Sequence, residues 1–313
     1  MLEIIIFQSK LSLHDCRPCA FAATMTQAAR LRELLAGDAL VVAPGVYDGI
    51  SAAIAAKLGF RAAYMTGAGV SASGWGLPDV GLLTLTEMAD RARLLAGLLD
   101  VPLIADADTG YGSPINVVRT VREYERAGVA AIQLEDQAFP KRCGHLAGKD
   151  VIDADRFVVA LQAALDARED PDTVVVARTD ALATHGVDEA IARARRYADI
   201  GADLIFVEAP TSIEEVERIA AEVDAPLLLN VVPGGRTPEI APERLAKLGF
   251  RVAIHPGAAL APVASGAIDG LSALAGTAGI TTTCDPAGFF DLFGLAEWNE
   301  LGERYRGYER DPR

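Results

Sequence analysis

Residues 173–208 read TVVVARTDALATHGVDEAIARARRYADIGADLIFVE, and this stretch decides the fold. It opens on a continuously apolar, β-branched run that stops at Arg178 and closes on a second run that stops at Glu208. Between them, residues 187–200 carry apolar side chains at helical spacing and meet Gly201, where a left-handed cap is easiest. Strands that are apolar throughout, rather than alternating, are covered on both faces, as parallel strands joined by helical crossovers are.

The same unit repeats outward along the chain. Strand-like runs fall at 40–43, 62–66, 102–106, 130–135, 173–178, 204–208, 226–231 and 251–255, with helical stretches at 116–127, 155–167, 187–200 and 213–222 between them. Thr84 and Glu87, and Ser212 and Glu215, place hydroxyl caps ahead of acidic first turns. No linker rich in Pro, Gly or Ser interrupts the series. The pattern predicts an α/β fold, a single (β/α)8 TIM-type barrel over 25–313, preceded by an extension, 1–24, that contributes no β/α unit and is expected to be dispensable. The segment 285–305 is dense in aromatic and leucine side chains and is expected to pack on the barrel or on a neighbouring subunit.

Composition narrows the function. The 313-residue chain is 51% hydrophobic with a formal charge of −14, which argues against a nucleic-acid binder or a surface held to anionic lipid, since both need clustered Lys and Arg. Its apolar runs are far shorter than the roughly 18 residues of a spanning helix, and 1–24 lacks a signal-peptide pattern. Four cysteines, Cys16, Cys19, Cys143 and Cys284, are too sparse for a disulfide framework, so a cytoplasmic small-molecule enzyme is expected. The lone Cys16-Arg-Pro-Cys19 reads as incidental, and Cys284 as structural.

Polar groups recur where the apolar runs stop: Tyr64 and Thr66, Asp106 and Asp108, Glu135, Arg178, Glu208, Asn230 and His255. In such a barrel the C-terminal strand ends converge on one mouth, where catalytic groups from different strands meet. Asp106 and Asp108, followed by Gly110 and Gly112, offer hard oxygen ligands of the kind magnesium takes, with Glu135 as a further ligand or water holder; manganese would satisfy the same spacing. The plainer reading is that these acids cap helices or pair with Arg. The loop 140–149 sets Cys143 among Lys141, Arg142, His145 and Lys149, which suggests a lid whose basic neighbours lower the thiol pKa from about 8.5. A basic surface loop with an incidental cysteine explains it as well. His255 and Arg236 are left outside the core assignment.

The ordered set Tyr64-Met-Thr66-Gly67-Ala68-Gly69, Gly76-Leu-Pro78-Asp79, Asp106-Ala-Asp108-Thr-Gly110-Tyr-Gly112, Glu135-Asp136-Gln137, Lys141-Arg-Cys143-Gly-His145, Ala177-Arg178-Thr179-Asp180 and Asn230-Val-Val-Pro-Gly-Gly235 closely resembles the isocitrate lyase and phosphoenolpyruvate mutase superfamily, above all its 2-methylisocitrate and 2,3-dimethylmalate lyase branches. The resemblance implies Asp106, Asp108 and Glu135 at a magnesium site. It implies Thr66, Gly67, Ala68, Asp79, Gly144, His145, Arg178, Glu208 and Asn230 around the substrate, and Cys143, Tyr64 and Arg178 in catalysis. It also implies an exchanged C-terminal helix, a homotetramer and a small anionic carboxylate substrate. Where the family often has Ser-Gly-Gly, this chain has Thr66-Gly67-Ala68, whose extra methyl trims the pocket.

The expected reaction is C2–C3 cleavage of a small 2-hydroxy di- or tricarboxylate. The hydroxyl loses its proton to Tyr64 or to a carboxylate, the bond breaks, and an aci-carboxylate steadied by Arg178 takes a proton from Cys143. Oxaloacetate hydrolysis remains open, as does a phosphonopyruvate-type mutase, although Cys143 argues against the latter. A non-catalytic metabolite-binding barrel is the reading from another class.

Overall fold

The computed structural model describes residues 25–146, 148–277, 279 and 285–306. The extension 1–24 and the cysteines Cys16, Cys19 and Cys284 lie outside the described residues. Eight parallel strands close a barrel in sequence order: β1 (Val41–Val46), β2 (Ala63–Met65), β3 (Leu103–Asp106), β4 (Ala131–Glu135), β5 (Val174–Thr179), β6 (Leu204–Val207), β7 (Leu227–Asn230) and β8 (Phe250–His255), with β1 pairing β8. The expected (β/α)8 barrel with additional C-terminal helices is the observed fold.

Two interleaved cores follow from the period of two along each strand. One set of strand residues, including Met65, Leu103, Ile132, Val175, Ile205 and Leu229, faces outward and packs under the helices. The alternate set, Val41, Ala43, Tyr64, Ile104, Ala131, Val174, Val176, Leu204, Phe206, Leu228, Val252 and Ile254, fills the barrel. Leu31, from the helix Gln27–Ala36, belongs to this interior cluster and is fully buried, which ties that helix to the barrel.

Local signals read from the sequence act as expected. Thr84 and Glu87 form a reciprocal capping box, and Ser212 accepts from Glu215 N at 3.2 Å. Gly128 ends the helix Pro114–Ala127 at φ 88°, a conformation an L side chain resists. The strand-end turn after β3 departs from the flexible loop its glycines suggest. Asp108 (φ 48°), Gly110 (φ 83°) and Tyr111 (φ 61°) all lie in the left-handed region, and a Cβ on Gly110 would fall 2.6 Å from Val117. That turn is wedged against its own helix, so the geometry presenting Asp108 is fixed by packing.

Beyond the barrel, the helix Leu260–Ala275 has no buried residue although it carries a single charge; Leu271 and Leu274 are 66% and 85% exposed. The chain then returns to the barrel mouth. Phe289, Phe290 and Leu295 are buried against Ala72 and the lid residue Leu146, with Phe289 in edge contact with Phe290. The aromatic C-terminal segment therefore packs on its own barrel in this chain.

Candidate active site

The interior phase of the strands places the site. Two residues beyond an interior apolar side chain on the same strand stand Asp106, Gln133, Arg178, Glu208 and Asn230, and Glu135 stands two beyond Gln133. They form the top layer of the barrel core, and all are buried. A cavity of about 100 Å³ opens above them. Its floor and polar wall come from Tyr64, Asp106, Arg178, Glu208 and Asn230; the lid residues Cys143, Gly144 and His145 close one side, and Leu260, Phe289 and Phe290 another.

Asp106 is held by neutral donors: Asp108 N (3.1 Å) and Gln133 Nε2 (3.3 Å) on Oδ1, Gly67 N (3.2 Å) on Oδ2. A Cβ at Gly67 would lie 2.7 Å from that Oδ2, so only glycine lets the backbone come this close. Lys141 Nζ sits between Asp79 Oδ1 (2.5 Å) and Asp108 Oδ1 (2.6 Å). Burial, with the neighbouring Asp106 and Asp79 carboxylates, pushes Asp108 up to about 7 against the pull of Lys141. Burial also drives Glu135 well above the usual carboxylate range.

Arg178 is clasped rather than free. Its Nε and Nη2 donate to Asp180 at 2.9 and 3.0 Å, Nη1 lies 3.2 Å from Glu135, and its guanidinium stacks over Phe206 at 5.2 Å. On the lid, His145 accepts from Arg236 N at its Nδ1 (3.2 Å), which leaves Nε2 to carry the proton toward Glu208 Oε1 at 3.3 Å. Burial lowers the His145 pKa, so the ring is neutral at pH 7. Lys149 reaches back to the Gly144 carbonyl and to Asp180 (2.8 Å), and Arg142 Nη1 donates to Asn299 (2.9 Å) on the C-terminal helix. The lid is thus fastened down at both ends.

Burial, followed by Asp79, pushes the Cys143 thiol up to about 12. This reverses the thiol-lowering role expected of the basic loop. The cations are spent elsewhere: Lys141 on two carboxylates, Lys149 on Asp180 and Arg142 on Asn299. Cys143 is a half-buried thiol at the cavity wall, its pKa raised rather than lowered by its surroundings.

The structure brings together Tyr64, Thr66, Ala68, Asp79, Asp106, Cys143, Gly144, His145, Arg178, Glu208 and Asn230 around one cavity. Gly67 stands behind Asp106, its N–H already used. Thr66 Oγ1 accepts from Gly69 N and so caps the helix Gly67–Trp75. Asp108 and Glu135 lie on the far side of Lys141, along a second cavity. His255, half-buried at the end of β8, does not line the main cavity. Among the described residues no three His, Cys, Asp or Glu side chains converge as a ready-made metal cage. The residues still fit a hard cation that keeps most of its waters. Buried Asp79, Asp106, Asp108, Glu135 and Glu208 outnumber the cations set among them, and Glu135 Oε1 and Asn230 Oδ1 meet no donor. Sequence reading passed over Gln133, whose signal is a lone amide inside an apolar strand, and the aromatic wall of Phe289 and Phe290.

Barrel, strand-end acids and a thiol-bearing lid together define a small-molecule enzyme of the α/β-barrel type. Residues 31–273 match the family model described as phosphoenolpyruvate phosphomutase, and the chain belongs to this phosphoenolpyruvate mutase/isocitrate lyase superfamily. It is a carbon–carbon lyase of that superfamily. The chain is 46% identical to 2,3-dimethylmalate lyase of Eubacterium barkeri over 285 residues, covering 90% of this chain and 99% of that protein. It is 47% identical to 2-methylisocitrate lyase of Aeropyrum pernix over 226 residues, 72% of each chain. The solved structure of oxaloacetate acetylhydrolase with the inhibitor 3,3-difluorooxalacetate superposes with a TM-score of 0.78 at 41% identity, covering 92% of this chain and 99% of that one. Among the described residues no helix is long and apolar enough to cross a membrane.

Proposed function

We propose that this chain is a magnesium-dependent lyase that splits a small 2-hydroxy di- or tricarboxylate of the 2-alkylmalate or 2-methylisocitrate type into a 2-oxoacid, such as pyruvate, and a carboxylate. The observation that carries the reading is the Cys143 thiol, placed on the wall of a cavity whose floor is charged and whose far wall, Leu260, Phe289 and Phe290, is apolar. Magnesium, held by Asp106 with Asp108 and Glu135 steadying its waters, would supply positive charge where the 2-hydroxyl oxygen loses its proton.

The chain's own groups account for the rest. Arg178, fixed by Asp180, Glu135 and the Phe206 ring, presents a preorganised positive charge to the diacid. Glu208, 3.3 Å from His145 and from Asn230 Nδ2, is the carboxylate on the cavity floor placed to accept the hydroxyl proton. Tyr64 is set aside as that base, because burial, followed by Asp106, holds its phenol protonated. Cleavage moves the C2–C3 electron pair onto C3, and the thiol proton of Cys143 quenches the carbanion there. A thiol near 12 keeps its proton at neutral pH and is still a far stronger acid than the C–H it forms. The closed lid keeps water from quenching the carbanion first.

A second reading, oxaloacetate hydrolysis, is favoured by the likeness to oxaloacetate acetylhydrolase along 92% of the chain. Incubation with magnesium and, separately, 2,3-dimethylmalate, 2-methylisocitrate, isocitrate and oxaloacetate tests both. Pyruvate from an alkylated substrate supports the lyase, and oxalate from oxaloacetate alone replaces it with the hydrolase. Silence across the panel would move the search for the substrate to other small carboxylates. The assembly we propose is a homotetramer with exchanged helices, supported by the uncovered apolar helix Leu260–Ala275.

A further inference from the structure

We propose that Gln133 is a positioning residue that couples Tyr64 to Asp106: it aims the carboxylate at the cation and turns the tyrosine oxygen toward the cavity as a hydrogen-bond acceptor. The substrate half of this inference rests on the diacid reading above; the metal half stands without it.

Gln133 is fully buried on β4, beside Asp106 in the strand register. A primary amide with no water has two donors and one acceptor to satisfy inside the barrel. Its Nε2 is 3.3 Å from Asp106 Oδ1 and its Oε1 is 3.1 Å from the Tyr64 hydroxyl. Chemistry decides which edge faces which neighbour. A carboxylate only accepts, so the NH2 edge belongs to Asp106, and the amide oxygen is left for Tyr64. Tyr64 then spends its single proton on Gln133, and the cavity, which Tyr64 lines, meets oxygen lone pairs. Such an oxygen suits a ligand atom that bears a hydrogen, namely the 2-hydroxyl of a bound hydroxyacid before its proton passes to Glu208, and disfavours a bare carbonyl or carboxylate oxygen in the same place.

At the other end, Asp106 receives three neutral hydrogen bonds, of which only the one from Gln133 comes from a side chain. Neutral donors orient a carboxylate without cancelling its charge, which is what a cation ligand requires of its supporting groups. One amide thus fixes both the metal side and the hydroxyl side of the cavity.

Gln133→Met keeps the length of the side chain and removes both hydrogen bonds. Gln133→Asn keeps an amide too short to span both partners. Three measurements apply to each: melting temperature, Mn2+ affinity by calorimetry without substrate, and the inhibition constants of malate, which has a 2-hydroxyl, and oxalate, which has none. Both variants are expected to bind Mn2+ about tenfold more weakly, the loss usual for an outer-shell partner. Malate should weaken against oxalate by about fivefold or more, as expected when one hydrogen-bond match is lost. Tyr64→Phe should reproduce the shift in ratio, and combining it with Gln133→Met should add little. A lower melting temperature with unchanged Mn2+ affinity and an unchanged malate-to-oxalate ratio would show that Gln133 only packs the core, and the proposal falls. If neither diacid inhibits the parent, the diacid reading falls, and the Mn2+ titration alone decides the role of Gln133.

Discussion

Lys141 and Asp108 form an ion pair of 2.6 Å, with side chains only 4% and 9% exposed. The ammonium also reaches Asp79, so the lid delivers its own cation into the acidic side of the barrel mouth. A bound divalent cation would compensate the same carboxylates. Removing Lys141 strands two buried carboxylates, a loss of about 3–5 kcal/mol where one partner of a buried pair is deleted. At pH 8, where Asp108 is ionised, Lys141→Gln is therefore expected to melt well below the parent without metal and to recover much of the difference in millimolar Mg2+. Equal melting of the two proteins in a chelator would show that Lys141 does not hold these acids.

Asp108 gives a pH dependence whose sign is fixed. Its carboxyl is raised from 3.8 to about 7 by burial, so between those values the folded protein keeps a proton that the unfolded chain has lost. That stabilisation is complete below about pH 4 and is lost as the pH rises through 7. Metal-free protein should accordingly be less stable at pH 8 than at pH 5 on this account, and Asp108→Asn should flatten the difference in denaturant titrations. Asp108→Ala should abolish metal-dependent turnover in a protein that still folds. It also places an alanine at φ 48°, worth roughly 1–2 kcal/mol of strain. An Asp108→Ala enzyme that turns over like the parent would remove Asp108 from the metal site.

The barrel was legible because its strands are buried on both faces and stop at polar residues in a constant phase. All eight strands lie within about two residues of the runs read from composition, except that β1 extends through Pro44 and Gly45 to Val46. Those two residues look like strand breakers; in a closed barrel β1 has neighbours that hold it, and a Cβ on Gly45 would collide with the backbone of Pro256. The site residues were legible for the same reason of phase. What the sequence could not carry was how charges are shared in space. Cys143 sits among Lys141, Arg142 and Lys149 along the chain, yet each of those cations has its partner on another element. Gln133 was hidden by its strand, since a single amide between Ile132 and Leu134 does not disturb an apolar run.

Gly144 has no room for a side chain. A Cβ there would run into the Glu208 carboxylate and the Arg178 guanidinium, so the lid can lie this close only as glycine. Gly144→Ala should lower the melting temperature, because Lys141 and Leu146 on the same lid are buried, and kcat should fall by about 10²-fold as closure is blocked. Trypsin cleavage at Lys141 and Arg142 should become faster in the variant. An alanine enzyme with parental kcat would mean that the closed lid is not the working state.

The helix Leu260–Ala275 exposes Val263, Leu271 and Leu274 at 46%, 66% and 85%. If a neighbouring subunit covers this face, Leu271→Asp combined with Leu274→Asp should lower the mass in light scattering from that of a tetramer, with the barrel's circular dichroism intact. Burying two unpaired charges is costly enough to break such a contact. An unchanged mass would leave the helix facing solvent and the exchanged-helix assembly without support.

Cys143 allows the sharpest test of the chemistry. At a pKa of about 12 the thiol holds its proton throughout the range in which the enzyme would be assayed, so its ionisation should produce no alkaline fall in kcat between pH 8 and 10. Iodoacetamide, which reacts with thiolate, should label Cys143 far more slowly in the folded protein than in the unfolded chain at pH 8, as read by peptide mass spectrometry. Cys143→Ser preserves the size of the side chain and replaces the thiol with a much weaker acid. If the thiol protonates the departing carbon, kcat should fall by about 10²-fold or more, while the inhibition constant of oxalate stays within about twofold, because the lost interaction belongs to the transition state. Arg178 and the clasped lid remain in place in this variant, so a loss confined to kcat would point to the proton and not to binding. Near-parental kcat for Cys143→Ser would remove the thiol from the reaction and leave a hydroxyl or a water as the proton source.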